Sequence, residues 1–313
     1  MKLRLLALVV LAMVFVQCAI FTKKTVSDDY DTDNYGALTK QVNAYIEKED
    51  YAAAIPLLKR MHEIRPGELA PVEWLGILYV NLPEEKPEFT NALFWLMEAE
   101  KRGSSMGELV YGNLAFIYSS KGEPEKAETA MDKAIALGFS DFEWMNKDDD
   151  LANFRTGEWW KGIADNYMLI QQKLAEFKDF ISDETEKSIE DRIKFYSGII
   201  ISLKELAPTI PALQSRPLSF LAFSYESNDD YFLAEQNYLE AKAVSEKVLG
   251  KEHPNYAYLT VNLGRLYYNM GYYEKAESCF LEARDIYEKV HGKEHPDYAI
   301  TSDNLDSAMN ANK

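Results

Sequence analysis

Only two cysteines, Cys18 and Cys279, occur in the 313 residues, so no disulfide framework organises this chain. Histidine is almost as scarce. The four are His62, His253, His291 and His295, which leaves few imidazoles for metal or acid–base chemistry. No G-x-S-x-G string and no phosphate-binding glycine loop is present, which removes the nucleophile elbow and the P-loop as readings. Positive charge is in deficit, with 34 Lys and Arg against 51 Asp and Glu and a formal net charge of -17. Such a surface repels phosphate backbones and excludes nucleic acid as a partner. Alternating strand-like patterns are missing, and the apolar run Leu5–Val16 has 12 residues, short for a membrane span.

Apolar residues are nevertheless ample. Hydrophobic content is 47% and aromatic content 13%, enough for a packed core. The run Leu5–Val16 follows Lys2 and Arg4 and leads directly to Cys18. This order resembles a bacterial lipoprotein signal. The resemblance implies a signal peptide over residues 1–17, lipidation of Cys18 and a place in the bacterial cell envelope, facing the periplasm or the cell surface. Ordinary cleavage to a soluble protein and an uncleaved anchor from Leu5 to about Thr22 fit the same residues. The polar, acidic stretch that follows reads as a tether over 18–35.

An internal repeat dominates the rest. Glu246–Ala257 (EKVLGKEHPNYA) and Glu288–Ala299 (EKVHGKEHPDYA) agree at ten of 12 positions, 42 residues apart. The offset carries Ala222 onto Gly264, Tyr225 onto Tyr267, Ala234 onto Ala276, Tyr238 onto Phe280 and Ala241 onto Ala283. Small residues facing large aromatics predict a close antiparallel helix pair that needs a neighbouring pair to cover its apolar face. Gly250 and Gly292 suit a left-handed helix end. Pro254 and Pro296 suit the first turn of the next helix, and Asp297 places negative charge at its positive end.

With the loop L-G-K-E-H-P and the run Asn262–Ala276 (NLGRLYYNMGYYEKA), the chain resembles tetratricopeptide proteins, in the 42-residue form known from kinesin light chains. Asn113–Ala134, with NLAFIYSSKGEPEKA followed by Met131 and Ala134, is similar to the shorter 34-residue form. Tyr45, Tyr51, Ala54, Leu58 and Pro66 outline another unit, whose second helix Pro56 should kink. Trp74–Gly103 outlines a third, with an insertion around Pro83–Pro87. Asp148–Leu151 with Arg155 resembles a segment that closes such groups, and Trp159 and Trp160 are expected to seal the last hairpin. The implied architecture is all-α: a helical-hairpin solenoid with an N-terminal block over 36–163, connecting helices over 164–212 and a C-terminal block over 213–313. The connecting helices are expected near Ala164–Ile181 and Glu184–Leu206. A polar capping helix should cover Ala299–Ala308.

Candidate chemistry is thin. His291-Gly-Lys-Glu-His295 fits the H-x-x-E-H string of a zinc peptidase, but that motif needs both histidines on one helical face, and Gly292 and Pro296 make this a turn. No metal is expected there. Asn146, Asp148 and Asp150 open like a calcium loop but lack its glycine and terminal glutamate. Cys279 reads as a small buried hydrophobe. Neither a catalytic residue nor a cofactor is expected.

In tetratricopeptide arrays the first helix of each pair lines the concave side. That register places Tyr258, Val261, Arg265, Tyr268 and Asn269 in the groove, with Arg216, Ser219, Phe223, Glu226 and Ser227 in the copy before. Rings, guanidinium and amide together suit a peptide or protein surface. The lysine, asparagine and arginine clamp with which related domains grip chaperone C-termini is not assembled. Its sites hold Thr39 and Asn43, Gly112 and Phe116, Val261 and Arg265. In kinesin light chains, asparagines near Asn113, Asn262 and Asn304 touch peptide. The expected function is therefore a non-catalytic scaffold held to the membrane by an N-terminal lipid. Self-association through the arrays and an enzyme with an unrecognised site are the alternatives.

Overall fold

The computed structural model describes residues 32–82, 89–104, 106–148 and 151–312. The signal segment with Cys18, most of the tether, the insertion at Pro83–Pro87, and Asp149 and Asp150 lie outside them. Among the described residues there is no strand. Fifteen α-helices run in chain order, and the first six pair as three hairpins. These are α1 (Thr32–Glu47) with α2 (Tyr51–Ile64), α3 (Ala70–Val80) with α4 (Phe89–Lys101), and α5 (Gly107–Ser120) with α6 (Pro124–Leu137). Two short helices, α7 (Phe142–Lys147) and α8 (Glu158–Lys161), close this group. The connecting helices are α9 (Tyr167–Ser182) and α10 (Ile189–Leu206). The C-terminal hairpins are α11 (Ser215–Ser227) with α12 (Tyr231–Leu249), and α13 (Pro254–Asn269) with α14 (Tyr273–His291). A last helix, α15 (Pro296–Ala311), covers the open end. The fold class is the one the repeat predicts.

One turn is repeated inside four hairpins. Four residues after a tyrosine, the backbone takes a positive φ, at Glu49 (58°), Gly122 (72°), Asp229 (59°) and Gly271 (78°). The next amide then reaches back to the tyrosine carbonyl. Asp50 donates to Tyr45 at 2.9 Å, Glu123 to Tyr118 at 2.8 Å, Asp230 to Tyr225 at 3.0 Å and Tyr272 to Tyr267 at 2.8 Å. These bonds satisfy carbonyls that the helix end would otherwise orphan. Asp50 and Asp230 then cap the following helix, accepting from Ala53 and Leu233.

The two unit lengths differ mainly in the second helix. It has 14 residues in α2 and α6 but 19 in α12 and α14, an extension of about 7 Å at the α-helical rise. Pro56 does not break α2. The helix runs unbroken from Tyr51 to Ile64, because Pro56 and Ala52 both lie on the exposed side, where water serves the carbonyl that loses its partner. The capping helix runs longer than the expected Ala299–Ala308, since Pro296 already occupies its first turn.

The matched small and large positions pack as the repeat requires. Ala222, Ala234, Ala241, Ala276 and Ala283 are fully buried, and Tyr238 and Phe280 are nearly so. A Cβ on Gly264 would lie 2.8 Å from the Phe280 ring. At the closing segment, the Arg155 guanidinium donates to the carbonyls of Met145 (2.9 Å) and Asp148 (2.5 Å). Trp159 and Trp160 are buried, and the Trp159 indole donates to Asp132 of α6 at 2.8 Å. Asn146 donates to the Tyr167 hydroxyl at 2.9 Å, so its amide serves this joint.

A single apolar core extends from Tyr35 to Leu259, through both hairpin groups and the helices between them. Phe177 of α9, Tyr196 of α10 and Phe220 of α11 form its centre at the joint, with ring centroids 5.5–5.9 Å apart. The array also curls onto itself. Ser104 and the Met106 amide donate to buried Glu73 at 2.5 and 3.0 Å. That anchors the α4–α5 loop so that Gly103, at φ 68°, meets Pro254 and Val290 of the C-terminal hairpins. A Cβ there would sit 2.6 and 2.7 Å from them.

Candidate functional site

The first helices α11, α13 and α15 stand side by side, and their 42-residue register sets residues in rows. Tyr258 of α13 is 54% exposed and Ile300, its counterpart on α15, is 56% exposed. Phe223 of α11 is 40% exposed and corresponds to Arg265, itself exposed. Tyr268 is 36% exposed. On α13 the spacing 258, 261, 265, 268, 269 follows the helical period, so Tyr258, Val261, Arg265, Tyr268 and Asn269 share one face. Arg265 forms no ion pair among the described residues.

The other expected groove residues have structural partners. Glu226 accepts from the Tyr238 hydroxyl at 3.0 Å and from the Asn269 amide at 3.1 Å, tying α11, α12 and α13 together. Burial and that carboxylate push the Tyr238 phenol above its ordinary pKa, so it stays a neutral donor. Arg216 is half-buried, 5.8 Å from the centre of the Phe177 ring. Its charge lies beside Glu108, whose carboxyl is raised by burial and partly restored by Arg216. Asn113 and Asn262 are buried, and the Asn113 amide donates to its own helix at Leu109, so these two do not face a groove ligand.

Beside this face lies a cavity of about 530 Å³, lined by Ser104, Glu108, Arg216 and Tyr258 and by His253, His291, His295 and Asp297. Sequence reasoning left these histidines in a loop without a role. The structure gives two of them one. His253 and His295 are the N-cap residues of α13 and α15, their Nδ1 atoms accepting from the amides of Asn255 (3.1 Å) and Asp297 (3.2 Å). The legible signal was their place immediately before the first-turn prolines. Gly250 and Gly292 hold φ 89° and 82° with ψ 162° and 168°. This extended positive-φ region belongs to glycine alone and is not the left-handed helical one expected. Cys279 is half-buried, and burial pushes its thiol up to about 11, an inert group at neutral pH.

Models of the tetratricopeptide repeat match residues 213–277 and 257–305, and again residues 109–137. The chain carries tetratricopeptide repeats. No curated protein matches it. Among solved structures, the array is similar to BtubC (BKLC) from P. vanneervenii at 17% identity, over 88% of this chain and 84% of that one, with a TM-score of 0.31. It is also similar to the TPR2AB domain of yeast Sti1, solved as a complex with pHSP90, at 14% identity over 88% and 99% of the two chains, with a TM-score of 0.35. The hairpin α1–α2, which no family model matches, repeats the same turn, and α3 and α4, also unmatched, pair as the other hairpins do.

Proposed function

We propose that this protein is a non-catalytic adaptor of the bacterial cell envelope that holds an extended segment of a partner protein on the α11–α13–α15 face. The observation that carries the reading is the exposed row of Phe223, Tyr258 and Tyr268 around an exposed Arg265 that forms no ion pair among the described residues. Rings offer contact area at little entropic cost, and an exposed guanidinium is a forked donor that suits a carboxylate on the partner. The segment recognised is therefore one with an apolar or aromatic residue next to an acidic side chain or a C-terminus. The tetratricopeptide repeats support an interaction role in general, and the face supplies its chemistry.

A peptide array probed with the full-length chain tests this. Captured peptides should share a carboxylate beside an apolar residue. Arg265→Ala and Tyr258→Ala should each weaken the best of them by about thirtyfold or more, the threshold of an interface hot spot. Unchanged affinity in both variants would move the working surface elsewhere.

The envelope part of the proposal rests on the Lys2–Cys18 segment. Among the described residues no helix is long and apolar enough to cross a membrane. Metabolic labelling with an alkyne fatty acid should mark the protein and be lost in Cys18→Ala. Equal labelling of both would remove Cys18 as the lipid site.

A further inference from the structure

The loop between α14 and α15 brings together three groups that can each bind a metal. The donor atoms of His291, His295 and Asp297 all lie within 4.8 Å of one another. The two imidazoles stack with centroids 4.3 Å apart at 21°. His295 Nδ1 stands 3.6 Å from an Asp297 carboxylate oxygen. Two ligands bound at 2.0–2.1 Å in tetrahedral zinc are about 3.3–3.4 Å apart, so this pair is already close to a chelating distance. We propose that His291, His295 and Asp297 form a binding site for a divalent transition metal of the zinc type, with one coordination position left open toward the cavity.

The preceding repeat is a built-in control. There Leu249, His253 and Asn255 stand at the equivalent positions. His253 still caps its helix through Nδ1, with the Asn255 amide donating to it as the Asp297 amide donates to His295. The fold therefore accounts for the histidine shared by both loops. It does not require a second imidazole at 291 or a carboxylate at 297, and those two turn a cap into a ligand set.

Electrostatics are favourable on two sides. His291 lies in the last turn of α14, where the helix carbonyls attract a cation, and Asp297 offsets the positive end of α15. In the metal-free loop His295 Nδ1 accepts from the Asp297 amide, which leaves the ring proton on Nε2. The cation takes that Nδ1 lone pair in exchange for the capping bond. Two imidazoles and one carboxylate select Zn²⁺, Ni²⁺, Co²⁺ or Cu²⁺ over Mg²⁺ and Ca²⁺. This is not the helix-borne peptidase motif that the string H-x-x-E-H suggests, for Glu294 is not among the ligands.

Calorimetric titration of the metal-free full-length chain with Zn²⁺ tests the site. One equivalent should bind, and Co²⁺ in its place should give the visible absorption of a four-coordinate site. His291→Leu and Asp297→Asn rewrite this loop as the preceding one and should fold unchanged. Each should weaken Zn²⁺ binding at least tenfold, and the double variant should abolish it. Circular dichroism without metal checks that helicity is preserved. Failure of the wild-type chain to bind one equivalent would overturn the proposal, as would variants that bind as tightly as wild type. Neither result bears on the Arg265→Ala test of the peptide face, since Arg265 lies on α13 outside the lining of this cavity.

Discussion

Phe280→Ala is expected to lose about 3–5 kcal/mol, the usual cost of emptying a fully buried phenylalanine site. Phe280 is 1% exposed and packs with Tyr238, Leu263, Leu266, Tyr267 and Leu305. This cluster is separate from the core that runs from Tyr35 to Leu259. The loss should therefore fall on α13–α15 first. In a repeat array, stability is a sum of local units and their interfaces, so a weakened end unfolds before the rest. Urea denaturation of the variant should split into two transitions. Hydrogen exchange should show α13–α15 exposed in the first, with α5 and α6 still protected. A single transition at wild-type midpoint would show that Phe280 does not hold the last hairpin.

The second large effect depends on pH. Burial, Lys133 and His291 together lower His253 to about 4, from an ordinary 6.5. The unfolded chain then binds a proton that the folded chain refuses between those values. Stability must therefore rise with pH through this window and be fully present above about 6.5. It is lost as pH falls toward 4. The span corresponds to at most about 3 kcal/mol, lessened by the partial exposure of the ring. The physical reason is plain. Protonated Nδ1 cannot accept from Asn255, so the cap of α13 fails as the charge enters a half-buried site. His253→Asn keeps a capping acceptor that does not titrate. Comparing the two proteins by urea denaturation at pH 7.5 and pH 4.5 isolates this residue from Glu108 and Asp132, whose raised carboxyl pKa values act in the opposite direction. Equal pH-dependence in both would remove His253 as the cause.

What the sequence made readable follows a physical divide. The 42-residue hairpins were legible because contacts within a unit repeat with it. Ala222 and Gly264 face Tyr238 and Phe280 in the same way, so one pattern appears twice. The exposed face of α13 was legible only by projection along a helix. That placed Tyr258, Arg265 and Tyr268 on the surface, but it could not show that Glu226 is bonded to Tyr238 and Asn269, or that Arg216 is drawn against Phe177. Those are contacts between units, and they leave no period. The histidine loop was read as a turn rather than as the helix-borne motif its string resembles, and it is one; what the string could not show is how the two rings meet. Here the chain reverses at Gly292, and the reversal itself brings His291 over His295. The meeting of Gly103 with Pro254 and Val290 was beyond reach altogether, since nothing local specifies where a curled array ends.

That meeting also constrains how many units can stand between the two hairpin groups. An open solenoid can gain or lose a hairpin in evolution, because each unit touches only its neighbours. Here the loop anchored by Glu73 must arrive at Pro254 and Val290. Adding or removing a unit between Gly103 and Pro254 would carry another residue to that position, whereas units before the one and after the other are not held by it, so the array is a chain with one link locked rather than a ring.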